Sequence, residues 1–265
     1  MRYFGNKYLE FLEDLRDLEL EQTIELIKTE WQGKGSLLEI GAGTGWQSKK
    51  FSENGYSVEA IDLKHSEYIE HRVWKVLDYE GEHIPFPDAH FDIVFSSNVL
   101  EHIPHIIDFQ KEILRVLKTD GIAVHLLPSG SWRFWTSLTH YPFWSGFVIK
   151  TIFSKIFRTD SNVSESPAET DLPQKTSIGL KNIFNGLIPK RHGEFGNALT
   201  EMYFFSKKRW VNLFQKTGWD IKKYSTNRLF YTGHLIFGSS LSLETRKGLS
   251  SILGSSCHVF LIKKK

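Results

Sequence analysis

Three glycines alternate with small residues at Gly41-Ala42-Gly43-Thr44-Gly45, directly behind the apolar run Leu37-Leu38-Glu39-Ile40. A strand running into such a turn lets a ligand approach backbone without Cβ obstruction, and sets amide donors at the start of the next helix. The spacing is GxGxG. A dinucleotide loop, GxGxxG, would need glycine where Trp46 stands, and no GxxxxGK[ST] phosphate loop follows, so pyrophosphate and triphosphate ligands lose ground. Asp62 ends the next apolar run, where a carboxylate can accept both hydroxyls of a ribose; a solvated aspartate closing a strand is the bland alternative. Groups able to take a proton stand further on. His102, in Leu100-Glu101-His102, falls just past a fourth strand. His192 and Glu194, in Arg191-His192-Gly193-Glu194-Phe195-Gly196, sit among flexible glycines from which they could reach over a bound ligand, or form a plain polar loop. Glu101, His102, His105 and Asp108 have no fixed ligand spacing, so no metal is expected.

These residues need a frame to hold them. Short apolar runs predict strands at 36–40, 57–62, 73–77, 91–97, 121–127, 219–226 and 256–263. Helical spacing predicts a leader over 7–31, then helices at 44–54, near 65–70, at 105–118 and at 206–217. Strand and helix alternate in a way that implies a doubly wound α/β domain, its sheet mainly parallel and covered on both faces. Ligands of such folds bind at the carboxyl edge of the sheet, where the glycine turn, Asp62 and His102 all fall.

Bulk composition narrows the function. With 33 basic and 31 acidic residues the formal charge is +2, which gives nucleic acid no special claim. The one cysteine, Cys257, excludes an internal disulfide and a CxxC zinc pair. No signal-peptide pattern or apolar stretch of spanning length is visible, so a soluble cytoplasmic protein is expected.

The ordered features together resemble class I S-adenosylmethionine-dependent methyltransferases, and most nearly their type 11 group. They are Glu39-Ile40-Gly41-Ala42-Gly43-Thr44-Gly45, Ile61-Asp62, Asp78, the stretch IPFPDAHFDIVFSSNVLEHI from Ile84 to Ile103, and EILRVLKTDGI. The resemblance covers residues 36 to 127 closely and 206 to 263 by pattern. It implies a Rossmann-like methyltransferase fold with seven strands, S-adenosylmethionine as cofactor and S-adenosylhomocysteine as product. It also implies cofactor contacts at Glu39, Gly41, Ala42, Gly43, Gly45, Asp62, Leu63, Asp78, Tyr79 and Asn98, with Asp62 on the ribose and Asp78 on the adenine amino group. His102, His192 and Glu194 are the candidate catalytic residues, because a hydroxyl acceptor has to lose its proton at or before transfer. The expected activity is O-methylation of a small molecule or glycan intermediate; the alternatives are a binding protein without turnover and a nicotinamide-dependent oxidoreductase.

The expected organisation is a leader at 1–35, a cofactor-binding half at 36–128, an inserted helical and aromatic lid at 129–205, and a closing segment at 206–265. Trp132, Phe134, Trp135, Tyr141, Phe143 and Trp144 crowd the start of the insertion and suit an apolar acceptor. The apolar stripe over 143–158 has a basic edge, and reads as a lid or core helix, a membrane-surface contact or a homodimer face.

Overall fold

Side chains of a strand alternate between the faces of its sheet, and β1 (Ser36–Ile40) shows the resulting layers. Leu37 joins a core with Leu20, Ile24 and Ile27 of α1 (Asn6–Glu30) and with Phe51 of α2 (Trp46–Glu53). Leu38 and Ile40 join the opposite core, with Phe109 and Ile113 of α3 (Ile106–Val116) and Trp210 and Phe214 of α6 (Lys207–Lys216). The sheet therefore lies between two helical layers. The computed structural model describes residues 6–156, 189–232 and 240–265. The side chains of the expected stripe from Phe143 to Phe157, and the polar stretch that follows them, lie outside the described residues, and with them the lid, membrane-surface and dimer-face expectations.

The remaining strands are β2 (Ser57–Leu63), β3 (Leu77–Tyr79), β4 (Phe91–Ser97), β5 (Leu117–Pro128), β6 (Trp219–Thr226) and β7 (Cys257–Lys264). They form one seven-stranded sheet in the order β3-β2-β1-β4-β5-β7-β6, in which β7 runs antiparallel to both neighbours. Strand order reverses between β1 and β4, which pair in parallel register, so the loops leaving these two strands flank the switch point where open α/β sheets bind ligands.

Several elements depart from the expectation. The third strand covers Leu77–Tyr79 rather than 73–77, because the Val73 amide donates to Thr44 O at 2.8 Å and draws this segment over the glycine turn instead of into the ladder. Only a 3-10 turn, Ile69–His71, stands where a short helix was expected. β5 begins four residues early, with an irregularity in its pairing between Phe91 and Ile93. Two helices were not anticipated: the single turn α5 (Glu201–Phe204), and α7 (Leu243–Leu253), whose N-cap Ser242 accepts from the Thr245 amide. The aromatic start of the insertion is the first part of one long helix, α4 (Gly130–Ile156), with Pro142 inside it.

Candidate functional site

The glycine turn carries three left-handed residues in five: φ is +71° at Gly41, +55° at Gly43 and +74° at Gly45. A side chain would be strained at each. At Gly41 an added Cβ would also overlap the Cγ2 methyl of Val99. The amides of Gly41 and Ala42 both donate to Ile61 O, at 2.9 and 3.0 Å, and that of Gly45 to Ala42 O at 2.8 Å. These three expected donors are thus engaged within the fold, and what the turn offers a ligand there is bare surface. Beneath it, Glu39 is fully buried and accepts from the Ser48 hydroxyl, tying α2 to β1; burial pushes its carboxyl up to about 8.

A cavity of about 560 Å³ opens over this turn. Gly41, Gly43, Asp62, Leu63, Tyr79 and Asn98 line it, together with His102. Ala42, Gly45 and Glu39 are absent from the wall and shape it from below. Asp78 is also absent, since its carboxylate pairs with Arg72 at 2.6 Å. Tyr68 and Glu80, which the sequence did not single out, line the same space. An alternating small-residue turn on one side and the Asp62 carboxylate on the other fit a nucleoside bound through its sugar.

A second cavity, about 290 Å³, adjoins the first at Asn98, which lines both. Asn98 holds a left-handed φ of +55°, with its amide on Leu126 O at 2.9 Å. The other walls come from across the fold: Leu15 and Arg16 of α1, Trp132 of α4, His192, and Tyr231 and Cys257 near the last strands. Glu19 accepts from Arg16 at 3.0 Å, from Asn227 at 2.9 Å and from the Tyr231 hydroxyl, fastening α1 to this wall.

The structure brings two of the three catalytic candidates together where the cavities meet. The ring centres of His102 and His192 lie 4.9 Å apart, and Trp132 packs 4.7 Å from His192. Burial lowers both imidazoles, His192 to about 4, with the neighbouring His102 as a lesser cause. The third candidate, Glu194, is outside both linings: its carboxylate faces Arg191 at 3.6 Å, while its amide donates to Glu101 O at 2.8 Å. Its loop is presented by a buried ion pair, Arg133 with Glu201 at 2.7 Å, in which Glu201 also accepts the amides of His192 and Gly193 at 2.6 and 2.7 Å. Under the two rings lies Glu101, fully buried, its carboxyl pushed up to about 8 by desolvation.

Residues 38–125 match the family described as Methyltransferase domain, type 11. An uncharacterised methyltransferase of Mycobacterium sp. (strain KMS) is 28% identical over 137 residues, 46% of this chain and 54% of that protein. The chain thus spans about half the length of such curated relatives. A solved S-adenosylmethionine dependent methyltransferase from Mesorhizobium loti aligns with a TM-score of 0.53 at 12% identity, over 94% of this chain and all of that one. A Burkholderia thailandensis 1,6-didemethyltoxoflavin-N1-methyltransferase, solved with 1,6-didemethyltoxoflavin and S-adenosylhomocysteine, aligns at 0.51 and 12% identity, over 97% and 87%. The Rossmann-like methyltransferase fold is shared with both. Among the described residues of this methyltransferase-fold chain, no helix is long and apolar enough to cross a membrane.

Proposed function

We propose that this chain transfers a methyl group from S-adenosylmethionine in the larger cavity to an oxygen of a small molecule or glycan intermediate in the smaller one, working in the cytoplasm. The observation that carries the reading is the junction at Asn98: two cavities meet there, one walled by the glycine turn and Asp62, the other by side chains from three distant segments. When bound, the cofactor supplies a sulfonium-activated methyl, so the protein's task is alignment, which contributes several kcal/mol to lowering the barrier, on the order of 7–11 at its best. Asp62 holds the sugar, Gly41 and Gly43 admit the body of the ligand, and Asn98 marks the point where donor and acceptor face each other. Leu15, Trp132 and Pro128 give the acceptor cavity apolar walls that exclude water and suit an aromatic or apolar body. The acceptor's proton leaves beside the His102 and His192 rings. Leu15 and Arg16 from the expected leader, and Trp132 and His192 from the expected insertion, stand on the acceptor side, while the cofactor is held mainly by residues of the segment 36–128. The Burkholderia protein was solved with 1,6-didemethyltoxoflavin and S-adenosylhomocysteine, and a small-molecule acceptor is in keeping with that.

Calorimetry with S-adenosylhomocysteine, followed by its release from S-adenosylmethionine across a panel of hydroxylated aromatics and glycosides, tests the reading. Micromolar binding and acceptor-dependent release are expected. Failure to bind S-adenosylhomocysteine at millimolar concentration would end it.

A further inference from the structure

We propose that Glu101, His102 and His192 hold a divalent first-row metal ion of the zinc class, with a coordination position left open at the junction of the two cavities. The starting point is the Glu101 carboxylate. It is wholly buried, and neither of its oxygens receives a hydrogen bond. Native structures leave few buried polar atoms without a partner, and a carboxylate is the group least tolerant of it. Glu101 Oε1 instead faces two imidazole nitrogens, His102 Nε2 at 3.7 Å and His192 Nε2 at 3.9 Å. One ligand atom from each residue falls within 4.8 Å of the others.

Those distances are too long for direct hydrogen bonds and right for groups converging on a common centre. Bonds of about 2.0–2.1 Å in a tetrahedron place ligand atoms roughly 3.4 Å apart. Small rotations of two partly exposed imidazoles cover the difference. Two imidazoles and one carboxylate form a donor set suited to zinc and its neighbours rather than to magnesium or calcium, which prefer oxygen throughout. Three protein ligands leave a fourth position for water or substrate. Here that position opens toward both cavities, since His102 lines one and His192 the other.

The surroundings hold the trio in place. The Glu194 amide on Glu101 O fastens the His192 loop to the 3-10 turn Leu100–His102, and Glu201 pins the His192 and Gly193 amides. Arg133, the cation in this loop's support, is matched by Glu201. The donors that sequence proximity suggested are turned elsewhere: His105 Nε2 meets Gly81 O at 3.2 Å, and Asp108 pairs with Lys111 at 2.6 Å. The ligand set was invisible in the sequence because its third member arrives with the insertion.

The site stands on side-chain geometry alone. Its consequence rests on the methyl-transfer reading: an ion held at the junction would lower the pKa of an acceptor hydroxyl, whose proton would pass to solvent water, leaving the histidines as ligands rather than bases. The test uses untagged full-length protein stripped by chelator. Co²⁺ is titrated by visible absorption, Zn²⁺ by equilibrium dialysis with elemental analysis, and S-adenosylhomocysteine binding is measured on the same preparations. One equivalent of each metal is expected, with affinity falling by at least about 100-fold in both Glu101→Gln and His192→Ala. No stoichiometric uptake, or uptake that survives either substitution, overturns the site. His192 lies on a loop, so its variant decides the matter should Glu101→Gln fail to fold. Absence of metal uptake by the unsubstituted protein, with S-adenosylhomocysteine binding intact, refutes the metal and spares the methyl-transfer reading.

Discussion

Gly41→Ala adds one carbon at the most constrained point of the turn, and two separable effects oppose it. At φ +71° an alanine is disfavoured by roughly 1–2 kcal/mol, the penalty of a left-handed conformation for an L residue. The new methyl also overlaps Val99 Cγ2 and lies 3.0 Å from Cγ1. Val99 is β-branched and has few rotamers into which to retreat, so overpacking adds about 1–3 kcal/mol. The sum, about 2–5 kcal/mol, corresponds to a fall in Tm of roughly 5–15 °C for a chain of this size. Urea unfolding of Gly41→Ala, Val99→Ala and the double variant separates the two parts. Removing the Val99 methyls should restore about 1–3 kcal/mol and leave the backbone penalty in place, giving a coupling energy of that size. Equal destabilisation in the valine and alanine backgrounds would refute the packing argument. Destabilisation below about 0.5 kcal/mol would refute the conformational one as well.

Asp62→Ala removes the carboxylate assigned to the ribose, and calorimetry should find S-adenosylhomocysteine binding weakened roughly 10- to 100-fold, the worth of charged hydrogen bonds; unchanged affinity counts against the assignment. Glu39→Gln tests burial of the acid beneath the turn. The folded-state carboxyl sits near 8, above its usual 4.5, so the stability it contributes is present below pH 4.5 and is lost as pH rises through 8. The stability of the wild type relative to Glu39→Gln should therefore fall across that window in urea melts, and a flat difference would show that burial does not set this group's charge. Glu201→Ala strips the partner from buried Arg133 and should destabilise the protein by about 3–5 kcal/mol. It should also alter the near-ultraviolet signal of Trp132, which packs on the freed His192 loop; a silent spectrum would mean the loop keeps its place without this ion pair.

Periodicity made most of the sheet legible, because β1, β4 and β7 are buried on both faces and read as near-continuous apolar runs. β3 was displaced because Val73 and Trp74 look like strand residues, yet the Val73 amide bonds Thr44 O and Trp74 lies against Gly45, a tertiary demand that local pattern does not carry. α7 was missed, although Ser242 followed three residues later by Thr245 was an available capping signal; its mixed composition, LETRKGLSSIL, hid the helix. The larger cavity's lining was partly foreshadowed, because Gly41, Gly43, Asp62, Leu63, Tyr79 and Asn98 lie in compact, ordered motifs. The smaller cavity's was not. Arg16, Trp132, His192 and Tyr231 meet only after the chain has closed on itself, and nothing in Leu100-Glu101-His102 announces that the glutamate points inward without a hydrogen-bonding partner.

Among the described residues of α1, Leu15 and Arg16 line the smaller cavity and none lines the larger. On the proposed reading, donor grip and acceptor choice are thereby written in different stretches of polypeptide, so mutations can reshape one without eroding the other. A lineage built on this plan would be free to diversify its chemistry around Leu15 and Arg16 while the glycine turn stays fixed.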